Sequence, residues 1–240
     1  TIFLNIFIAI AIAQYLEKKI SLGKVAVYSI IYLIIAALSE TKGNFIFFVV
    51  IVILALMISR KSRKTIGFGL VSLIAIFAGL YFLDLYFPGS AEFLFDWDKA
   101  SFYMDASYFG TTTFTRNAIL QVANEHFFKD NLWLYLFGYG IGACDMSSYF
   151  TSPFYAKYGY MNYRQFSSAM TILQTGYIGF VVYIALFVVV AVIAIKDSIS
   201  GSEQYRFLNV ATACIAIFAI LDSFYASLYI DMGYWVFFIM

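Results

Sequence analysis

The chain has 240 residues, of which 63% are hydrophobic and 12% charged, with a formal net charge of +1 and a mean hydropathy of +0.85. A soluble domain carries about 25% charged residues, so there is too little charge here to cover a water-facing surface, and the 21% aromatic content excludes disorder. The near-neutral balance excludes a nucleic-acid binder, which needs a basic surface, and leaves an all-α, polytopic membrane protein with the lipid bilayer around it.

Thr1 opens the chain and both ends lie inside apolar runs, so the chain is expected to be a piece of a longer protein. No basic stretch followed by a small-residue cleavage site marks a signal peptide. A spanning helix needs about 20 apolar residues. Candidates are 2–16, 25–38, 45–59, 65–87, 169–195 and 207–221, with 232–240 as the first part of a seventh. The first is short, as expected of a cut span, and the flanks of 25–38 and 45–59 can extend each toward the required length. Three regions follow: four helices in 1–87, an extracytoplasmic loop with an amphipathic helix in 88–166, and C-terminal helices in 167–240.

Basic residues mark cytoplasmic loops, and Arg60, Lys61, Arg63 and Lys64 supply the anchor. Alternation then puts nine bases and three acids inside, net +6, and six bases and eleven acids outside, net −5. One anchor sorts the charges by sign. The outer loop 88–166 is too long to lack structure, and its Tyr and Phe content predicts a folded unit on the membrane surface.

Within Ser39–Asn44, Lys42 stands at the outer start of the third span, where free N–H groups and the helix dipole favour an anion. The alternative is a lysine snorkelling to headgroups. Residues 112–128 predict an amphipathic helix capped by threonine. At 100° per residue, Leu120, Ala123 and Phe127 fall within about 40° of Arg116, which puts a guanidinium amid an apolar face. It needs an acid such as Asp105, a carbonyl or a bound anion. Lys157 and Arg164 are further outer cations, with Arg164 alternatively a plain interfacial anchor.

Gly138, Gly140 and Gly142 predict a tight turn where backbone meets backbone or ligand. The spacing and surroundings do not fit a dinucleotide loop. Gly176 and Gly179 would admit a close helix neighbour. His126 is the only histidine, and no metal cluster can be built around it. Cys144 and Cys214 are not expected to pair. Asp84, Asp222 and Asp231 lie near outer span ends. Acids at membrane depth are functional candidates, so Asp222 and Asp231 are the candidate bases, with exposure to interfacial water as the alternative.

Three of these pieces, in this order, resemble the O-antigen ligase and Wzy-type O-antigen or capsule polymerase superfamily. They are Ser39, Thr41, Lys42 and Gly43 for a Ser-x-Ser-Arg-Gly element, Arg116 followed by Gly138, Gly140 and Gly142 for an Arg-led helix and glycine turn, and Gln174, Gly176 and Gly179 for a Glu-x-Gly-x-x-Gly span opening. The resemblance covers residues 39–195. It implies a GT-C-like glycosyltransferase of the bacterial inner membrane. Such an enzyme acts on undecaprenyl-diphosphate-linked glycans without a metal or other cofactor, beside a chain-length regulator and a flippase. It carries diphosphate contact over to Arg116 and Lys42, though lysine lacks the bidentate fork of arginine. Arg164, Gly138 and Gly140 join the expected substrate site. Gln165 stands where ligases often carry a histidine, which favours a repeat-unit polymerase over a ligase. Gln174 departs from the family's Glu. A flippase is the rival from another class, but its polar or broken midplane helices are missing from these runs.

Overall fold

A computed structural model describes residues 2–38, 42–59, 63–89, 96, 113–129, 131–146, 149–200 and 202–225. Among them the structure is helical, with one isolated antiparallel bridge between Met146 and Thr151. Four long helices come first: α1 (Ile2–Leu16), α2 (Leu22–Leu38), α3 (Lys42–Ile58) and α4 (Arg63–Tyr86). Short elements follow: α5 (Ile119–Val122), a π-helical turn (Ala123–Phe128), α6 (Leu132–Phe137), α7 (Pro153–Tyr158) and two 3₁₀ turns (Gly159–Met161 and Tyr163–Gln165). The long α8 (Ser167–Ser200) and α9 (Arg206–Tyr225) end the described chain. Both prolines sit where helices tolerate them: Pro88 just past α4, and Pro153 opening α7.

Among the described residues, three helices are long and apolar enough to cross a membrane: 20 residues of α4 from Gly67 to Tyr86, the 34 of α8 and the 20 of α9. The apolar helices α1, α2 and α3 are shorter, at 15, 17 and 17 residues. The protein is therefore a helical membrane protein. The expected seventh span at 232–240 lies outside the described residues, as do Arg60 and Lys61 of the basic anchor and most of the outer loop before residue 113.

The chain forms two compact units, Thr1–Trp97 with Val188–Phe218, and Asp98–Phe187 with Ala219–Met240. In the first, α4 packs along α2, and Gly79 fits so tightly that a Cβ would lie 2.9 Å from Leu33 and from the Phe45 ring. A buried polar cluster ties three helices. The Tyr32 hydroxyl donates to Asn5 Oδ1 and to the Asn44 carbonyl at 3.0 Å, while Asn5 Nδ2 donates to Asn44 Oδ1 at 3.4 Å. At the other end of α1, buried Arg206 lies 3.8 Å from Glu17 and donates from Nε to the Ser198 carbonyl at 2.9 Å. Such groups must be satisfied internally where no water reaches them.

The second unit is built on aromatic packing. Phe127 is ringed by Phe114, Tyr139, Phe154 and Tyr158, with centroids 5.0–6.5 Å away, the range in which ring edges and faces attract. Ile119, Val122, Phe128, Tyr163 and Leu173 extend this core. Local signals start its helices: Asn131 Oδ1 accepts from Trp133 and Leu134 N–H at 3.1 Å, and Ser152 Oγ from Tyr155 N–H at 3.0 Å.

Candidate functional site

The segment Thr113–Thr115 precedes Arg116 in non-helical form, held by Phe114 N–H donating to the Met161 carbonyl at 2.9 Å. A turn closed by Ala118 N–H onto the Thr115 carbonyl at 3.1 Å then leads into α5. The expected helix from 112 thus begins at Ile119, without a side-chain cap. Arg116 lies in the turn before it, and the threonines line a cavity instead of capping. The helix then widens into a π turn. The five-residue spacing of Val122 to Phe127 and Ala123 to Phe128 puts both pairs in the core. Leu120, expected on the buried face, is exposed.

A cavity of about 90 Å³ is lined by Thr113, Phe114, Thr115, Arg116, Asn162, Gln165 and Phe166. Asn162 links the two 3₁₀ turns in the left-handed conformation, φ 59°, and its carbonyl accepts from Gln165 N–H at 3.0 Å. This bend is what presents Gln165 to the cavity of Arg116.

The Arg116 guanidinium stacks on the Tyr225 ring, 4.3 Å from its centroid. Its Nε–H is buried with no hydrogen-bond partner, and so is Thr115 Oγ1. Among the described residues no carboxylate pairs with Arg116; Asp105 lies outside them. Asp222, 3% exposed, stands three residues before Tyr225 on α9, so the two share a helix face. A stacked cation, unpartnered donors and amide side chains therefore belong to one region of the second unit. They equip it to bind an anion and to hold a polar molecule beside it.

The other expected residues are placed differently. Arg164 pairs with Asp145 at 3.1 Å, reaches the Met146 carbonyl at 3.4 Å and lies 5.4 Å from the Tyr155 centroid. It does not line the cavity. Lys157 lies exposed over the Tyr158 ring, 4.9 Å from its centroid, and a hydrogen bond to Tyr158 raises its pKa. Lys42 is the first residue of α3, in the first unit; Ser39 and Thr41 lie outside the described residues, as does Asp231. Asp84 accepts from Gly89 N–H at 3.0 Å in the turn after α4. His126 is exposed. Among the described residues no three His, Cys, Asp or Glu gather as a metal site, and both cysteines are free.

The glycine turn meets backbone. Gly138 N–H donates to the Leu134 carbonyl, Tyr139 N–H to Leu173 and Gly140 N–H to Gln174, at 2.8, 2.8 and 2.9 Å. These amides are therefore occupied by protein carbonyls. The acceptors of Tyr139 and Gly140 lie in α8 just before Gly176, whose φ of 64° and ψ of −167° break the helix. A Cβ on Gly138 would lie 2.6–2.7 Å from backbone atoms of Leu173, Gln174 and Gly176, and one on Gly176 would strike the Leu136 carbonyl. Close by in the chain, the Tyr163 hydroxyl donates to the Cys144 carbonyl at 2.6 Å. Burial, with a smaller contribution from Asp145, pushes the Cys144 thiol up to about 12; burial also raises Tyr163 and Tyr139.

Sequence reasoning missed Tyr225, Thr113, Thr115 and Asn162. The one available signal was the three-residue step from Asp222 to Tyr225, which puts an aromatic ring beside a candidate acid. No protein-family model matches the chain, and neither a curated protein nor a solved structure matches it.

Proposed function

We propose that this protein is a metal-independent, GT-C-like glycosyltransferase of the bacterial inner membrane, with six to seven spans. It polymerises undecaprenyl-diphosphate-linked oligosaccharide repeat units at the outer face. A chain-length regulator and a flippase act beside it. The observation that carries the reading is Arg116, a cation on Tyr225 with an unpartnered donor in a polar cavity.

In the reaction, an acceptor sugar hydroxyl attacks the anomeric carbon of the donor. The bond from that carbon to the diphosphate oxygen breaks, and the diphosphate leaves with the electron pair. Arg116 offsets the charge growing on the leaving group, a stabilisation strongest in the transition state. The hydroxyl proton passes to a carboxylate, for which Asp222 and Asp231 are the candidate bases. Gln165, lining the Arg116 cavity, stands where related ligases often carry a histidine, which supports polymerase over ligase.

The test is the lipid-linked glycan pool of a strain lacking the gene. A polymerase defect leaves single repeat units and no ladder of longer chains. Long chains stranded on the carrier would refute the polymerase and promote the ligase. Single units trapped on the cytoplasmic face would point to a flippase.

A further inference from the structure

The apolar helix α6, Leu-Trp-Leu-Tyr-Leu-Phe, buries only one side. Leu134 packs on the aromatic core, and Tyr135 stacks on Tyr177 with centroids 4.3 Å apart. Leu132, Trp133 and Phe137 stay exposed, Trp133 at 74% and stacked on Phe137 at 5.7 Å, and Ile141 just beyond is 88% exposed. An exposed cluster of large apolar side chains marks a contact surface.

The position of α6 says what covers it. Its C-terminal end abuts α8 where Gly176 breaks the helix, and Tyr135 stacks on the first residue after the break. From there residues 177–200 rise about 36 Å, enough to cross a hydrocarbon core of about 30 Å. The unbroken α8 would measure about 51 Å, too long for the bilayer without strong tilt. The break therefore marks where the span enters lipid. Beyond it Ile178, Val181 and Val182 are exposed apolar residues on a helix whose length and composition fit it to the membrane. The exposed side of α6 continues that lipid-facing surface at the depth where Trp and Tyr favour the interface.

We propose that α6 lies in the outer bilayer interface, with Leu132, Trp133, Phe137 and Ile141 inserted among lipid headgroups and upper acyl chains. The Gly138–Gly176 contact clamps it to the start of the α8 span, so this unit is seated on the membrane at a fixed depth. The inference is independent of any enzymatic reading. Its occupant is the lipid surface, since the exposed side chains are aromatic and aliphatic and border a span.

The test uses this 240-residue chain with Trp97 and Trp235 changed to phenylalanine, reconstituted in vesicles with phospholipids brominated at different acyl positions. Trp133 emission is expected to be quenched most by bromines nearest the headgroup, at a depth of about 5–10 Å past the headgroup–acyl boundary, and little by aqueous iodide. Strong iodide quenching without bromolipid quenching would overturn the proposal. So would protection from both, which would mean that a second copy or another protein covers the helix. If the double substitution prevents folding, nitroxide-labelled Leu132→Cys gives the same decision. Greater relaxation by oxygen than by an aqueous nickel chelate supports insertion, and the reverse refutes it.

Discussion

Replacing Gly176 or Gly138 by alanine tests the contact between the glycine turn and the broken helix. Gly138 has φ 69° and ψ −163°, and Gly176 has φ 64° and ψ −167°. This region is essentially reserved for glycine, and an L-residue held there costs about 1–3 kcal/mol. The new methyl also has nowhere to go: at Gly138 it meets backbone atoms of Leu173, Gln174 and Gly176 at 2.6–2.7 Å. Backbone cannot rotate aside as a side-chain end can, so overpacking adds about 1–3 kcal/mol. Each substitution is expected to destabilise the protein by about 2–6 kcal/mol. At about 2–4 °C per kcal/mol for a chain of this size, melting in detergent falls by several degrees or more. Gly23→Ala is the control, because nothing lies within 4 Å of its added Cβ and alanine favours a helix. Light-scattering or tryptophan melts of the purified variants give the comparison. Gly176→Ala melting with wild type would refute the backbone contact.

Three further outcomes are expected. A cysteine at position 120 is labelled by an impermeant reagent in intact cells and one within 60–64 is not; the reverse pattern removes the assigned orientation. Native-state alkylation at pH 9 misses Cys144, whose folded thiol is raised to about 12. Because the thiol ionises near pH 9 only when unfolded, its stabilisation is complete below about pH 8.5. It is lost as pH rises toward 12, so the unfolding midpoint falls there, less steeply in Cys144→Ala. Arg116→Met lowers glycan transfer sharply without lowering stability, for the reasons argued last.

The spanning helices were legible because long apolar runs without proline leave the backbone no alternative in lipid. Their observed ends differ from the expected ones by a few residues, as with 207–221 against Arg206–Tyr225. The break in α8 was half legible. Gly176 and Gly179 announced a close helix neighbour, and at Gly176 that neighbour is the C-terminal backbone of α6, Leu136–Phe137, but the break itself left no sign in the pattern. Periodicity carries no information about what lies across a contact. The same limit governs the site. The apolar company of Arg116 was visible, yet a uniform 100° step does not hold where Arg116 sits in a turn before the helix, so Leu120 was assigned the wrong face. Tyr225, far along the chain, left no mark near Arg116, and only folding brings them together.

Whether Arg116 is structural or functional follows from the balance of its interactions. A guanidinium on an aromatic ring gains about 0.5–2 kcal/mol, and the stack on Tyr225 has that geometry. A buried N–H left without a partner costs about 1–3 kcal/mol, and Arg116 Nε is such a group. The two roughly cancel, so the residue contributes little net stability as it stands. An arginine kept to close a buried ion pair behaves otherwise: removing it costs about 3–5 kcal/mol. Methionine fills similar volume, keeps contact with the Tyr225 ring and leaves no unpartnered donor. Arg116→Met should therefore melt at or above the wild-type temperature. If the cation stabilises a diphosphate leaving group, the same substitution lowers transfer by about 10²–10³-fold, the loss typical of one such donor. In vitro polymerisation on lipid-linked repeat units, with melts on the same preparations, separates the two effects. A stable variant with full activity would end the role assigned to Arg116. A variant that loses several kcal/mol would make the residue structural, and the cavity beside it would then need another cation to serve an anion.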